Sequence, residues 1–450
     1  MMNKKGYVGQ PADIAVYTLT SSLHDEVAVN EETRRFLAEL AVDCRLMGDN
    51  YEDFGRHSLS LLYVRTGGTE GIFKQHFATW RQLTRKFYLL TSGKSNSLAA
   101  SMEILSFLRQ QGAEGEILHG PSDEVAKRIV LLAKVEQARK SLRAVKLGII
   151  GKPSDWLISS SYDTGVLESR LGIQLKEIDI SELIGEVKRT EASVFAEQPS
   201  AFAEQPSVVA EQPSAFAEQP SVVTEQPSTF AEQPSELSEV HATNPSVVQA
   251  LPGALRIYHA LRKLLEDNHL QGFTLRCFDL LGTVHNTGCM ALARLNSEGY
   301  VAGCEGDVPA MISMMVARAL TGVSGFQANP ARINPQAGEM LFAHCTIPFD
   351  MVRSYELDTH FESGIGVGIR GYMNEGPVTI FKLAGDLSRM FVAEGMLVEN
   401  RAEAGLCRTQ QVIRLADAEQ TRYFLTNPIG NHHIIIPGHQ AAALHELLGL

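Results

Sequence analysis

The chain has 450 residues, of which 44% are hydrophobic and 20% charged, an ordinary globular composition with room for two or three domains. Its formal net charge of −12 argues against a nucleic acid or an anionic membrane surface as partner, and no run of about 18 uninterrupted apolar residues offers a membrane span. The six cysteines have irregular spacing and form no CxxC pair, so reduced, mostly buried thiols in a cytoplasmic protein are expected.

The N-terminal segment ADIAVYTLTSS reads as a first strand and its loop, not a signal peptide, because Gly6, Gln10, Pro11 and Asp13 break any apolar stretch. Strands then alternate with helices. SLSLLYVRTGG (58–68) and KFYLLTSG (86–93) are short apolar runs closed by glycine, and NSLAASMEILSFLRQQG (96–112) is a helix stopped at Gly112. GEILHG (115–120) is the next strand. SDEVAKRIVLLAKVEQARKSLRAV (122–145) is a long amphipathic helix with acids in its first turn, and KLGIIGKP (146–153) opens a new strand. This spacing predicts parallel, doubly wound α/β sheets.

A seven-residue unit, xxAEQPS, runs six times from Val194 to Ser235. Proline in every unit rules out a coiled coil, at about 3 kcal/mol per interior proline, and also a central strand. A disordered or polyproline-like insert is expected, of a kind tolerated because lengthening a loop costs little entropy. Beyond it, 246–272 is predicted helical around a proline-glycine interruption, FTLRCFDLL (273–281) is a strand, and VPAMISMMVARALTG (308–322) is a helix with a methionine stripe suited to core packing. From about 325 short alternating runs separated by turn residues predict an antiparallel β-rich unit. Three units follow: about 1–145, 146–320 and 321–450, with 194–235 as an insert in the second.

Three spots could carry chemistry. In GCEGDVPA (303–310), Glu305 lies in a glycine-flanked turn at a strand's carboxyl end, where ligands of α/β sheets collect, and Asp307 is placed to cap the next helix. In LFAHCTIP (341–348), His344 interrupts an apolar strand, a position that also suits a hydrogen-bonded core histidine. In GNHHIIIPGH (430–439), His432 and His433 point to opposite faces of a strand, so only one of them enters a given site. One carboxylate and two neutral imidazoles suit a divalent metal that keeps open positions. GVGIRG (366–371) matches GxGxxG, but Pro377 and a β-branched run follow it, so a hairpin is expected there and no nucleotide loop.

At these residues the chain resembles the L-fucose/L-arabinose isomerase superfamily, and within it the shorter fucose isomerase-like proteins. The stretches LLTSGKSNSLAASMEILSFLRQQGAEGEILHG, GIIGKPSDWLISS, RCFDLL, GCEGD, FAHCTIP, HFESGIGVGIRG, GLCRTQ and NHHIIIPGH carry the resemblance, in a consistent order over most of the chain outside the repeat and the first fifty residues or so. It implies two Rossmann-like domains before a β-rich C-terminal domain, and a site of the Mn²⁺ type. Glu305 looks like the family's metal-ligating acid/base glutamate, His344 like one histidine ligand, and His433, in preference to His432, like the other. The family's second acidic ligand precedes the His-Cys strand. The corresponding stretch here, GFQANPARIN (325–334), has no carboxylate, and Gln327 or Asn329 takes the position.

The chemistry so implied is aldose–ketose interconversion through an enediol, with a divalent metal, Mn²⁺ by the resemblance, as Lewis acid and Glu305 moving the proton. With an amide for the second acid, weaker metal binding and slower or altered chemistry are expected, unless Asp307 or Glu362 stands in. Asn329 and Arg408 are candidates to contact a small sugar, Arg408 by orienting an oxyanion. The alternatives are a sugar-binding or regulatory relative without catalysis, and an enzyme acting on a modified carbohydrate. A homo-oligomer is expected by analogy with the family.

Overall fold

The computed structural model describes residues 13–194 and 244–450, so the AEQPS repeat lies, apart from Val194, outside the described residues. The first sheet is parallel throughout. It is built from β1 (Ile14–Leu19), β2 (Arg45–Gly48), β3 (Leu59–Val64), β4 (Lys86–Leu90) and β5 (Glu114–Leu118), in the order β2-β1-β3-β4-β5. Its central strands read as continuous apolar runs because helices cover both faces. Ala15, Tyr17 and Leu19 face one core with Phe73 and Trp80, and Ile14 and Val16 face another with Ile129 and Leu132.

The second sheet is also parallel: β6 (Lys146–Ile150), β7 (Gln174–Ile178), β8 (Gly272–Leu275) and β9 (Val301–Cys304), in the order β7-β6-β8-β9. Two expectations are corrected here. The strand predicted over 273–281 stops at Leu275 and a helix, Asp279–Val284, follows. The helix over 246–267 is not interrupted at the proline: Pro245–Asp267 runs through Pro252, and Asn286 Nδ2 donates to the Ala250 carbonyl 2.7 Å away in the disturbed turn.

The C-terminal β-rich part closes on itself as an antiparallel barrel, in the order β10-β11-β16-β15-β14-β17. Its strands are β10 (Phe326–Asn334), β11 (Glu339–His344), β14 (Gly376–Leu383), β15 (Met390–Arg401), β16 (Thr409–Leu415) and β17 (His433–Pro437); β12 (Ser354–Asp358) and β13 (Gly368–Tyr372) form a separate hairpin. Closure leaves no free sheet edge. The GxGxxG match runs into β13 and no helix follows it.

The helix Val308–Thr321 joins the second sheet to the barrel. Met311, Met314, Met315 and Leu320 pack in one core with Leu147 and Val301 on one side and with Phe381, Leu383, Ile434 and Ile436 on the other. The helix Ser122–Leu142 reaches the same core through Val135 and Ala138. It also ties the chain's last helix, Ala441–Leu448, to itself through Arg128 Nη2, 2.6 Å from Glu446 Oε2. Among the described residues no helix is long and apolar enough to cross a membrane.

Candidate metal centre

Glu305 follows the last residue of β9, at the carboxyl edge of the second sheet. It adopts φ 63°, a left-handed conformation uncommon for a residue with a Cβ, and Gly306 continues the turn at φ +72°. A Cβ on Gly306 would lie 2.7 Å from the Lys152 carbonyl oxygen, so glycine is required there. The turn lets the chain enter the helix Val308–Thr321 with Asp307 as N-cap, its carboxylate accepting from Ala310 N at 2.8 Å.

The barrel brings two histidines to this turn. His344 ends β11, and His432 immediately precedes β17. Both Nε2 atoms face one oxygen of Glu305: His432 at 3.5 Å and His344 at 3.7 Å from Oε1. The donor atoms of all three residues lie within 4.8 Å of one another, and all three side chains are buried. The 3.5 and 3.7 Å separations from Glu305 Oε1 suit a cation about 2.0–2.2 Å from each donor.

Each histidine has its other nitrogen engaged. His432 Nδ1–H donates to Asp307 Oδ2 at 2.9 Å, and His344 Nδ1 lies 2.8 Å from Thr346 Oγ1. Nε2 of both is thereby left for a ligand, and that of His432 is buried with no hydrogen-bond partner. An orphaned nitrogen beside a carboxylate is the expected state of a ligand set built for a cation, and the residues present fit one. Asp307 is itself shared with Lys382, whose Nζ lies 3.2 Å from Oδ2; both are almost completely buried. Burial would raise both carboxyl groups. The imidazoles beside Glu305, and Lys382 with His432 beside Asp307, outweigh burial and hold both well below the carboxylate range. His432 moves oppositely: burial would lower it, but the Glu305 and Asp307 carboxylates push it up to about 9.

His433, the histidine expected as ligand, points away, and this corrects the expectation. Its Nε2 lies 3.1 Å from the Tyr423 hydroxyl and its ring sits among Phe391, Tyr423 and Phe424. Burial pushes it down to about 3. The register of β17 decides the matter. Ile434 and Ile436 pack toward the helix Val308–Thr321 and Ile435 toward the opposite core, so His432 shares the face of Ile434 and His433 that of Ile435.

Two other candidates are placed differently from expectation. Asp307, a possible stand-in for the second acid, is fully buried behind His432 with its oxygens committed to His432, Lys382 and Ala310, so it holds the His432 ring and caps the helix. Arg408, expected to orient a substrate oxyanion, donates through Nε to the Thr359 carbonyl at 2.7 Å and pairs with Asp358 at 3.3 Å, and so anchors the loop after β12. Gln327 clamps the end of β9: Oε1 accepts from Cys304 N at 2.9 Å and Nε2 donates to Cys304 O at 3.3 Å. Asn329 does line the site, and its Oδ1 is buried without a partner.

A cavity of about 30 Å³, room for an ion or about two waters, adjoins Glu305 and His344. Asn329, Phe278, His360, Glu362 and four cysteines, Cys289, Cys304, Cys345 and Cys407, line it with Glu305 and His344. All six cysteines are free, and Cys277 Sγ lies 3.2 Å from Cys304 Sγ. Beside it a larger cleft of about 410 Å³ is lined by Trp156, Ser159, Ser160, Phe424 and Asn431, among others. Trp156, which the sequence does not single out, reaches the same carboxylate: its Nε1–H donates to Glu305 Oε2 at 2.7 Å. A lone tryptophan in a loop offers no periodic signal, and only its place within GIIGKPSDWLISS marked the stretch.

Residues 222–322 match the L-arabinose isomerase central domain. The chain is 22% identical over 296 residues to a sulfoquinovose isomerase of Alkalicoccus urumqiensis, covering 64% of this chain and 59% of that protein. It is 23% identical over 358 residues to a sulfoquinovose isomerase of Priestia aryabhattai, covering 73% and 68% respectively. A sulfoquinovose isomerase of Clostridium sp. (strain MSTE9) matches at 26% identity over 129 residues. By these matches the chain is similar to sugar isomerases: to the L-arabinose isomerase central domain over residues 222–322, and to sulfoquinovose isomerases over a longer stretch.

Proposed function

We propose that the protein is an aldose–ketose isomerase dependent on a divalent cation of the Mn²⁺ type held by Glu305, His344 and His432. The observation that carries this reading is the convergence of the His432 and His344 Nε2 atoms on one oxygen of a buried carboxylate, at 3.5 and 3.7 Å, beside a small cavity that Glu305 and His344 line. When bound, the cation supplies Lewis acidity to the sugar's carbonyl and hydroxyl oxygens. Asp307 fixes the His432 tautomer, Thr346 orients His344, and Glu305 is the carboxylate at hand to move a proton between adjacent carbons. Among the described residues no Lys or Arg lines either cavity, which favours a neutral pentose or deoxy sugar over one bearing a sulfonate. A homo-oligomer remains our expectation from the family likeness.

A second reading, a sugar-binding relative without turnover, draws support from one feature. The second acidic ligand is replaced by amides, and Gln327 is committed to the Cys304 backbone. Glu362, which lines the same cavity, is the acid that keeps the first reading in force.

The test is proton exchange at C2–H in deuterated water, followed by NMR across a panel of aldoses and ketoses with Mn²⁺ supplied. The isomerase reading expects exchange with at least one sugar, abolished in Glu305→Gln. Tight Mn²⁺ binding with no exchange across the panel would replace it with the second reading.

A further inference from the structure

The segment between β6 and the next helix crosses the mouth of the metal centre as a strap, residues 152–160, and several independent contacts fasten it there. Ser154 N donates to the Glu305 carbonyl at 3.0 Å. Arg276 Nη1 donates to the Pro153 carbonyl at 2.6 Å, and Arg276 Nη2 pairs with Asp155 at 2.8 Å. The close approach of Gly306 to Lys152 and Pro153 leaves no slack between strap and turn. The strap's apolar side chains are nonetheless not buried: Trp156 is 50% exposed and Ile158 93% exposed. A half-exposed tryptophan gains little from burial, so its fixed contacts call for another explanation. Its ring meets Phe278 edge-on at 4.9 Å and its Nε1–H reaches Glu305 Oε2 at 2.7 Å, while its other side lines the larger cleft.

The two oxygens of Glu305 are therefore not equivalent. Oε1 faces both imidazoles and Oε2 is held by the indole. We propose that Trp156 is a positioning residue for Glu305. By binding Oε2 it fixes the carboxylate with Oε1 toward both imidazoles, so that a cation held there would meet one oxygen of Glu305. This rests on the isomerase reading for the identity of the ligand, but its own content is the orientation of Glu305.

Trp156→Phe keeps an aromatic ring against Phe278 and removes the N–H together with one ring of the indole. The loss of a hydrogen bond to a charged group is expected to change the Mn²⁺ dissociation constant, measured by calorimetry, by about tenfold. The kcat should fall by a similar factor with KM within about twofold, and the melting temperature should stay close to wild type because the residue is half-exposed. Tryptophan emission should respond to Mn²⁺ in the wild type and lose that response in Trp156→Phe, since the other tryptophan, Trp80, lies in the first sheet's core. Arg276→Met, which loosens the strap without touching the indole, should shift both constants in the same direction by less. A wild-type protein that binds no Mn²⁺ overturns the isomerase reading. A wild type that binds Mn²⁺ and a Trp156→Phe variant with unchanged dissociation constant and kcat overturns this inference alone.

Discussion

The two faces of β17 carry adjacent histidines into opposite chemistry. His432 sits against two carboxylates, with one nitrogen bonded to Asp307 and the other unpartnered 3.5 Å from Glu305. His433 sits among three aromatic rings, with both nitrogens taken by Tyr423 and the Asn431 carbonyl. Both are fully buried, so burial does not separate them; the sign of the neighbouring charge does. The carboxylates push His432 up to about 9, and the apolar surroundings push His433 down to about 3. Of the two, only His432 keeps a nitrogen without a partner, and that nitrogen faces a carboxylate.

The sharpest way to break this contrast is to exchange the two faces. His432→Asn removes a direct donor and is expected to weaken Mn²⁺ binding by on the order of a hundredfold or more. His433→Gln, measured in the same titration, should leave the dissociation constant within about twofold and lower the melting temperature instead. Equal losses in the two variants would end the distinction.

The next effect concerns the support behind His432. Asp307→Asn should cost about 10–100-fold in Mn²⁺ affinity, because the tautomer and ring are no longer fixed. It should also destabilise the fold by about 3–5 kcal/mol, because Lys382 is left as an unpaired buried cation. Adding Lys382→Met should recover stability in urea unfolding but not the affinity, separating the two roles of one carboxylate.

A further effect, about tenfold per pH unit, is in the pH dependence, where the two histidines have opposite signs. His432 has its folded value raised from 6.5 to about 9, so its contribution to the stability of the metal-free protein is full below 6.5 and is lost as pH rises through 9. The cation competes with that proton, so Mn²⁺ affinity should rise by about tenfold per pH unit up to about 9 and then level. His433 has its folded value lowered from 6.5 to about 3, so its contribution is full above 6.5 and is lost as pH falls through 3. His433→Gln should flatten the acid limb of a stability profile and leave the affinity profile unchanged.

Much of this arrangement is legible in the amino-acid sequence, and the parts that are not have physical reasons. The apolar runs of β3 and β4, punctuated by glycine, mark strands buried on both faces. Glu305 announces itself through its glycine neighbours, because a strand that turns sharply into a capped helix exposes the residue at the corner. The choice between His432 and His433 is not legible: Ile434, Ile435 and Ile436 are all buried, so no polar alternation tells one face from the other. β10 hides for a similar reason. Pro330 and a register shift between Pro330 and Arg332 break the strand pattern on the element that carries Gln327 and Asn329. Arg408 is legible as a charge but not as a contact, since its partners Asp358 and Thr359 come from a hairpin some fifty positions away. The meeting of Trp156 with Glu305 is a tertiary contact between elements 149 positions apart, and no local pattern encodes it.

Anomalous diffraction at the manganese edge from crystals grown with Mn²⁺ tests the central claim most directly. The account predicts one strong peak per chain within ligating distance of Glu305 Oε1, His344 Nε2 and His432 Nε2, with His433 still against Tyr423. A peak elsewhere, or a chain saturated with Mn²⁺ that shows none between these three atoms, would contradict it.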